Sequence, residues 1–159
     1  MIILGIDPGL ASVGWAIIEK SGQIKLIDSG CFNTKKGVDF SQRLVDIAKH
    51  LEKLIDQYHP QALAIEELFF AKNVKTAIKV AQCLGVIKFV VNNKGVEVNE
   101  YSPLNIKLTM TGYGQADKKQ VEQMVVRSLK LNQKIYSNHA IDAIAAGLTY
   151  CYTNKILNK

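Results

Sequence analysis

MIILGIDPGLASVGWAIIE, residues 1–19, is the stretch from which the rest of the chain is read. An apolar run, Ile2 to Ile6, ends in Asp7 and is followed at once by Pro8-Gly9. A second apolar run, Val13 to Ile18, comes next. Two short apolar runs split by Pro-Gly predict two strands joined by a tight turn. The first run is apolar on both faces, which predicts a central strand. A carboxylate closing such a strand is costly unless something compensates its desolvation, and a metal ion does so. Asp before Pro-Gly also caps turns. On this stretch alone both readings stand.

Composition narrows the setting. The 159 residues predict one domain, 1–159, long enough for a real core. A hydrophobic content of 48% argues against a disordered chain. No apolar run reaches the length of a membrane span, and no basic-then-apolar leader with a cleavage site opens the chain. A cytoplasmic location is therefore expected. Cys31, Cys83 and Cys151 lie far apart without metal-ligand spacing, which predicts core thiols in a reducing compartment. A net charge of +6 and a pI near 9.2 favour a polyanionic partner, most simply nucleic acid.

Beyond Ser21-Gly22-Gln23, a third strand is expected from about Ile24 to Asn33, completing an antiparallel meander. Leu44, Ile47, Ala48, Leu51, Leu54, Ile55 and Tyr58 recur at helical spacing and predict an amphipathic helix from about Asp39 to Tyr58. His50 and His59 read as ordinary boundary histidines. His59-Pro60 stops that helix, and Gln61 to Glu66 is a fourth, central strand. A strand–helix–strand crossover makes its strands parallel neighbours, which aligns equivalent ends. Asp7 and Glu66 are then expected side by side, where two carboxylates raise each other's pKa unless a cation intervenes. Glu67 points the other way.

Phe69 and Phe70 are either core or a stacking surface for unpaired bases. The helix predicted from Val74 to Asn92 is apolar on most sides. One side should meet the sheet, and the other either a second subunit or the terminal helix. Val96 to Tyr101 predicts a less buried fifth strand. Ser102-Pro103 opens a helix carrying Lys107, and Asp117 to Gln120 is a capping-box variant before a helix from Lys118 to Leu131. Lys118, placed against the helix dipole, is either a phosphate contact or a solvated lysine. A last helix from Asn138 sets His139 and Asp142 on one face among small residues that allow it close to the sheet. Asp7, Glu66, His139 and Asp142 together suit Mg²⁺, with the imidazole also admitting Mn²⁺. Two such ions about 3.5–4 Å apart can activate water and stabilise a leaving oxygen of a phosphodiester. The residues thus predict a metal-dependent nuclease with three antiparallel strands leading into a parallel pair.

Gly5-Ile6-Asp7-Pro8-Gly9 with Ser12-Val13-Gly14-Trp15-Ala16, Ala64-Ile65-Glu66-Glu67 leading into Phe69, Ala71-Lys72-Asn73, and His139-Ala140-Ile141-Asp142-Ala143 together resemble the RuvC family of Holliday-junction resolvases. The resemblance covers essentially the whole chain. It implies an α/β, RNase H-like fold with a five-stranded mixed sheet flanked by helices. It implies a homodimer that nicks four-way junction DNA symmetrically, leaving 5′-phosphate ends, and that works with the RuvA–RuvB branch-migration complex in some relatives. Asp7, Glu66 and Asp142 match the family's acidic metal ligands. His139 falls where the family carries Asp or His, and it leaves the site one negative charge poorer. Phe69 matches a stacking aromatic, Lys107 and Lys118 match basic residues near the scissile phosphate, and the apolar helix matches the dimer helix. The rivals are an RNase H-like nuclease acting on structured RNA, an actin-like ATPase, which needs a second domain and a far longer chain, and a non-catalytic junction-binding module.

Overall fold

The computed structural model describes residues 1–68, 74–131 and 137–154. Strand β1 (Ile2–Asp7) runs antiparallel to β2 (Ser12–Ser21), which runs antiparallel to β3 (Gln23–Asn33). Helix α1 (Phe40–Tyr58) then crosses to β4 (Ala62–Glu66), parallel to β1 on its other side. Helix α2 (Val74–Asn93) crosses to β5 (Glu97–Tyr101), parallel to β4. The sheet order is β3-β2-β1-β4-β5. Helices α3 (Pro103–Thr111), α4 (Lys118–Leu129) and α5 (Asn138–Thr153) complete the chain. The expected α/β, RNase H-like arrangement, a mixed sheet flanked by helices, is what forms.

Side-chain alternation divides the core into two layers. Leu4, Ile6, Ile17, Leu63 and Ile65 face Ile47, Leu51, Ile87 and Val91 of α1 and α2. Ile3, Ala16, Ile18, Ala62 and Ala64 face Ile144, Leu148 and Val125 of α5 and α4. Each fully buried Ile or Leu contributes about 1.5–3 kcal/mol. Asp39 caps α1 by accepting from Ser41 N, and His59 ends it in the left-handed region at φ 49°. Asp117 and Gln120 form a reciprocal capping box at α4.

Helix α4 stops at Leu129 rather than Leu131, because Lys130 adopts φ 53° and donates its N–H back to Arg127 and Val126. Cys83 and Cys151 are buried thiols as expected, whereas Cys31 sits half-buried on edge strand β3. His50 is more than a boundary residue. Its ring stacks on Phe32, with centroids 4.5 Å apart, and its Nε2 is buried without a hydrogen-bond partner. On α2, Cys83, Leu84, Ile87, Val90 and Val91 are buried, while Ile78 and Phe89 remain 52% and 71% exposed. Helix α5 packs in the other core layer, so it is not the cover of that second side.

Edge strand β3 carries a bulge. Ile17 pairs with Asp28 and Ile18 with Leu26, which leaves Ile27 unmatched and 49% exposed. Among the described residues, no helix is long and apolar enough to cross a membrane.

Candidate active site

The parallel pairing of β1 with β4 matches Ile6 to Ile65, so Asp7 and Glu66 emerge at the same end of adjacent strands. Glu67 is exposed and turned away, its backbone N–H engaged by Tyr101 O. Helix α5 lies directly across these strand ends. A Cβ on Gly5 would overlap the carbonyl of Ala143, and one on Gly14 would overlap the carbonyl of His139. Glycine at these two strand positions therefore sets how closely the helix approaches.

That approach brings the residues together. His139 Nδ1 lies 2.7 Å from Asp7 Oδ2, and toward an ionised carboxylate the ring N–H is the donor. Asp142, one turn on, accepts from Lys118 Nζ at 2.6 Å. Glu66, Lys107, Lys118 and Asp142 line one cavity of about 260 Å³, floored by Pro103 and Ile106. Lys118 is not simply solvated, because in the absence of DNA it meets a carboxylate. Phe69 lies outside the described residues.

Electrostatics mark the cluster as short of positive charge. Glu66 is pushed up to about 7, first by burial and then by the charges of Asp7 and Asp142, against the opposing pull of Lys118 and Lys107. Asp7 is also raised, burial outweighing its hydrogen bond to His139. Burial works against the charge of Lys118, but the ion pair with Asp142 prevails and raises its pKa. Among the described residues, no three His, Cys, Asp or Glu side chains are gathered as a ready-made metal cluster. The donor chemistry nevertheless fits a hard divalent cation, since the acidic set is oxygen-only and the cation facing it here is the Lys118 ammonium.

The raised carboxylates fix a pH dependence. The folded protein holds the Glu66 proton more tightly than the unfolded chain does, so this group's stabilisation is present below about 4.5 and is lost as pH rises through about 7. Asp7 adds a shift of the same sign. In chelator, the melting temperature should therefore fall between about pH 4.5 and 7, and Glu66→Gln should flatten this fall. An identical slope in that variant would count against Glu66 as its source.

Carboxylates closing two adjacent parallel strands, with a third on a helix laid across them and lysines facing the gap, are set here on an RNase H-like fold. The family model described as crossover junction endodeoxyribonuclease RuvC matches residues 3–150, and the chain belongs to that family. Its crossover junction endodeoxyribonuclease RuvC relatives include that of Roseiflexus sp. strain RS-1, 40% identical over 98% of this chain and 94% of the relative. The Clostridioides difficile relative is 43% identical over 98% of this chain and 93% of its own length. The structure of Thermus thermophilus RuvC in complex with Holliday junction substrate superimposes with a TM-score of 0.89 at 29% identity, covering 96% of this chain and 93% of that one. The chain is accordingly a hydrolytic endonuclease and a Holliday-junction resolvase, from a family whose cleavage depends on metal.

Proposed function

We propose that Asp7, Glu66 and Asp142, with His139, are the catalytic metal ligands for the cutting of junction strands. The observation that carries this reading is the Asp7–Glu66 pairing at adjacent strand ends, where the proton affinity of Glu66 is raised to about 7. Such a site favours any cation that can relieve the repulsion, and Mg²⁺ suits its oxygen donors, with Mn²⁺ able to substitute. Two bound ions would supply an activated water and stabilise the leaving oxygen. The chain's own residues do the rest. His139 orients the Asp7 carboxylate. Lys107 and Lys118 line the same cavity as Glu66 and Asp142 and hold the scissile phosphate, Lys118 exchanging its carboxylate partner for the substrate. Phe69 stacks on an unpaired base at the opened junction.

The working unit is a homodimer of single-domain chains, residues 1–159. Ile78 and Phe89 on α2 are the exposed apolar side chains that support it. A two-fold pair places two identical sites on a roughly two-fold four-way junction, giving paired nicks with 5′-phosphate ends. Free thiols at Cys83 and Cys151 suit a reducing cytoplasm, and the RuvA–RuvB branch-migration complex is the expected partner machinery. Phe89→Glu should turn a dimer into a monomer at micromolar concentration in sedimentation velocity. An unchanged sedimentation coefficient would remove α2 from the interface.

The direct test incubates the protein with a labelled four-way junction and with a linear duplex of the same sequence, in Mg²⁺, Mn²⁺ or chelator. Paired symmetric nicks in the junction only, lost in chelator, are expected. Cutting of structured RNA instead, or binding without cutting in either metal, would overturn the proposal.

A further inference from the structure

We propose that a second cavity, on the His139 side of the site, is a subsite for one backbone phosphate of the bound junction strand. This cavity, of about 460 Å³, is lined by Leu10 and Ala11 of the β1–β2 turn, Arg43 of α1, Lys79 and Val80 of α2, and His139. Among the described residues, none that lines it is acidic.

Arg43 is held in place as a donor. Its Nε donates to Thr34 Oγ1 at 2.8 Å and its Nη2 donates to Leu10 O at 3.0 Å. Thr34 is itself buried, 7% exposed, and its hydroxyl donates to the same Leu10 carbonyl at 2.8 Å. A guanidinium carries five N–H donors. Two are engaged in fixing its plane, and the others find no carboxylate among the described residues. Lys79 is equally without an acidic partner there, its recorded contact being the Phe40 ring, 5.9 Å from Nζ.

Elsewhere the described lysines that make ion pairs do so at close range: Lys118 with Asp142, Lys88 with Glu100, Lys94 with Asp56. Two unpaired cations converging on a concave site create a local potential that an anion relieves. An Arg with a fixed plane suits a phosphate's paired oxygens. Leu10, Ala11 and Val80 offer apolar walls for the flanking sugars. His139 lines this cavity while its Nδ1 meets Asp7, and Asp142, one turn further along α5, lines the other. A strand crossing the carboxylates would therefore meet cations on both sides: Lys107 and Lys118 on one, Arg43 and Lys79 on the other.

This subsite rests on the reading that junction DNA occupies the carboxylate site, and the test separates the two. Because Arg43 also braces the turn that follows Asp7, the substitution belongs at Lys79. Junction binding is measured in chelator, so that no cutting enters. Lys79→Gln should reduce the slope of log affinity against log salt by about one. Neutral methylphosphonates are then placed one at a time at each phosphate flanking the scissile one. One position should weaken binding by the parent protein clearly more than by Lys79→Gln, which keeps only the Arg43 contact. If every methylphosphonate weakens both proteins alike, the subsite is overturned while the carboxylate site stands. If the parent protein does not bind the junction at all, both fall.

Discussion

Asp7→Asn should abolish cutting, lowering the rate by at least about a hundredfold, while leaving junction affinity in chelator within about twofold. Groups that merely orient a metal ligand cost about 10–100-fold when removed, and a ligand itself should cost no less. The substitution conserves shape and keeps an oxygen that can accept the His139 N–H, so the fold is not disturbed. It removes one of the charges that hold Glu66 up near 7. The metal-free variant should therefore show a shallower loss of stability as pH rises, and Mg²⁺ should raise its melting temperature less than it raises the parent's. The second readout separates an electrostatic role from a structural one. Cutting at the parent rate would remove Asp7 from the mechanism.

Gly14→Ala should disable the enzyme through the backbone. Gly14 pairs with Asp7 across the β1–β2 ladder, and any Cβ there would run into the carbonyl of His139. The obstacle is main chain, so no rotamer change relieves it, and α5 must lift away. Overpacking of this kind costs about 1–3 kcal/mol, of which alanine's better strand entropy returns roughly 0.5–1. The net cost of up to about 2.5 kcal/mol lowers the melting temperature by up to about 10 °C for a chain of this size. Cutting should fall far more than stability, because the lift separates His139 from Asp7 and moves Asp142 with it. A variant with unchanged melting and unchanged cutting would show that α5 has slack against the sheet.

Much of this site is legible in the chain itself. The crossover between two all-apolar strands aligns Asp7 with Glu66, because parallel neighbours share their ends. The Ala and Gly residues of α5 announce a close approach. The matching signal on the sheet, glycine inside strands at Gly5 and Gly14, is equally visible but is easily taken for a turn or a weak strand. The Lys118–Asp142 pair is not legible, since it depends on how α4 is carried over α5 in three dimensions. Nor is Arg43, which reads as one more charge on the polar side of α1 until the fold folds Thr34 and Leu10 around it. The second side of α2 stays open in the sequence because a terminal helix and a second copy cover an apolar face equally well. The assignment of α5 to the opposite core layer removes the terminal helix as that cover.

The bulge at Ile27 bears on how this molecule can live with its own copies. Contact through a two-fold, self-complementary face closes on itself after two chains and stops. Contact along a bare strand edge does not close, and each added chain offers a fresh edge to the next. With Ile27 unmatched, β3 presents a broken ladder, so an incoming strand could zip along it for only part of its length. The misfit at one rim of the sheet thereby guards against fibre growth, and a protein concentration that favours finite pairs need not favour open-ended aggregates.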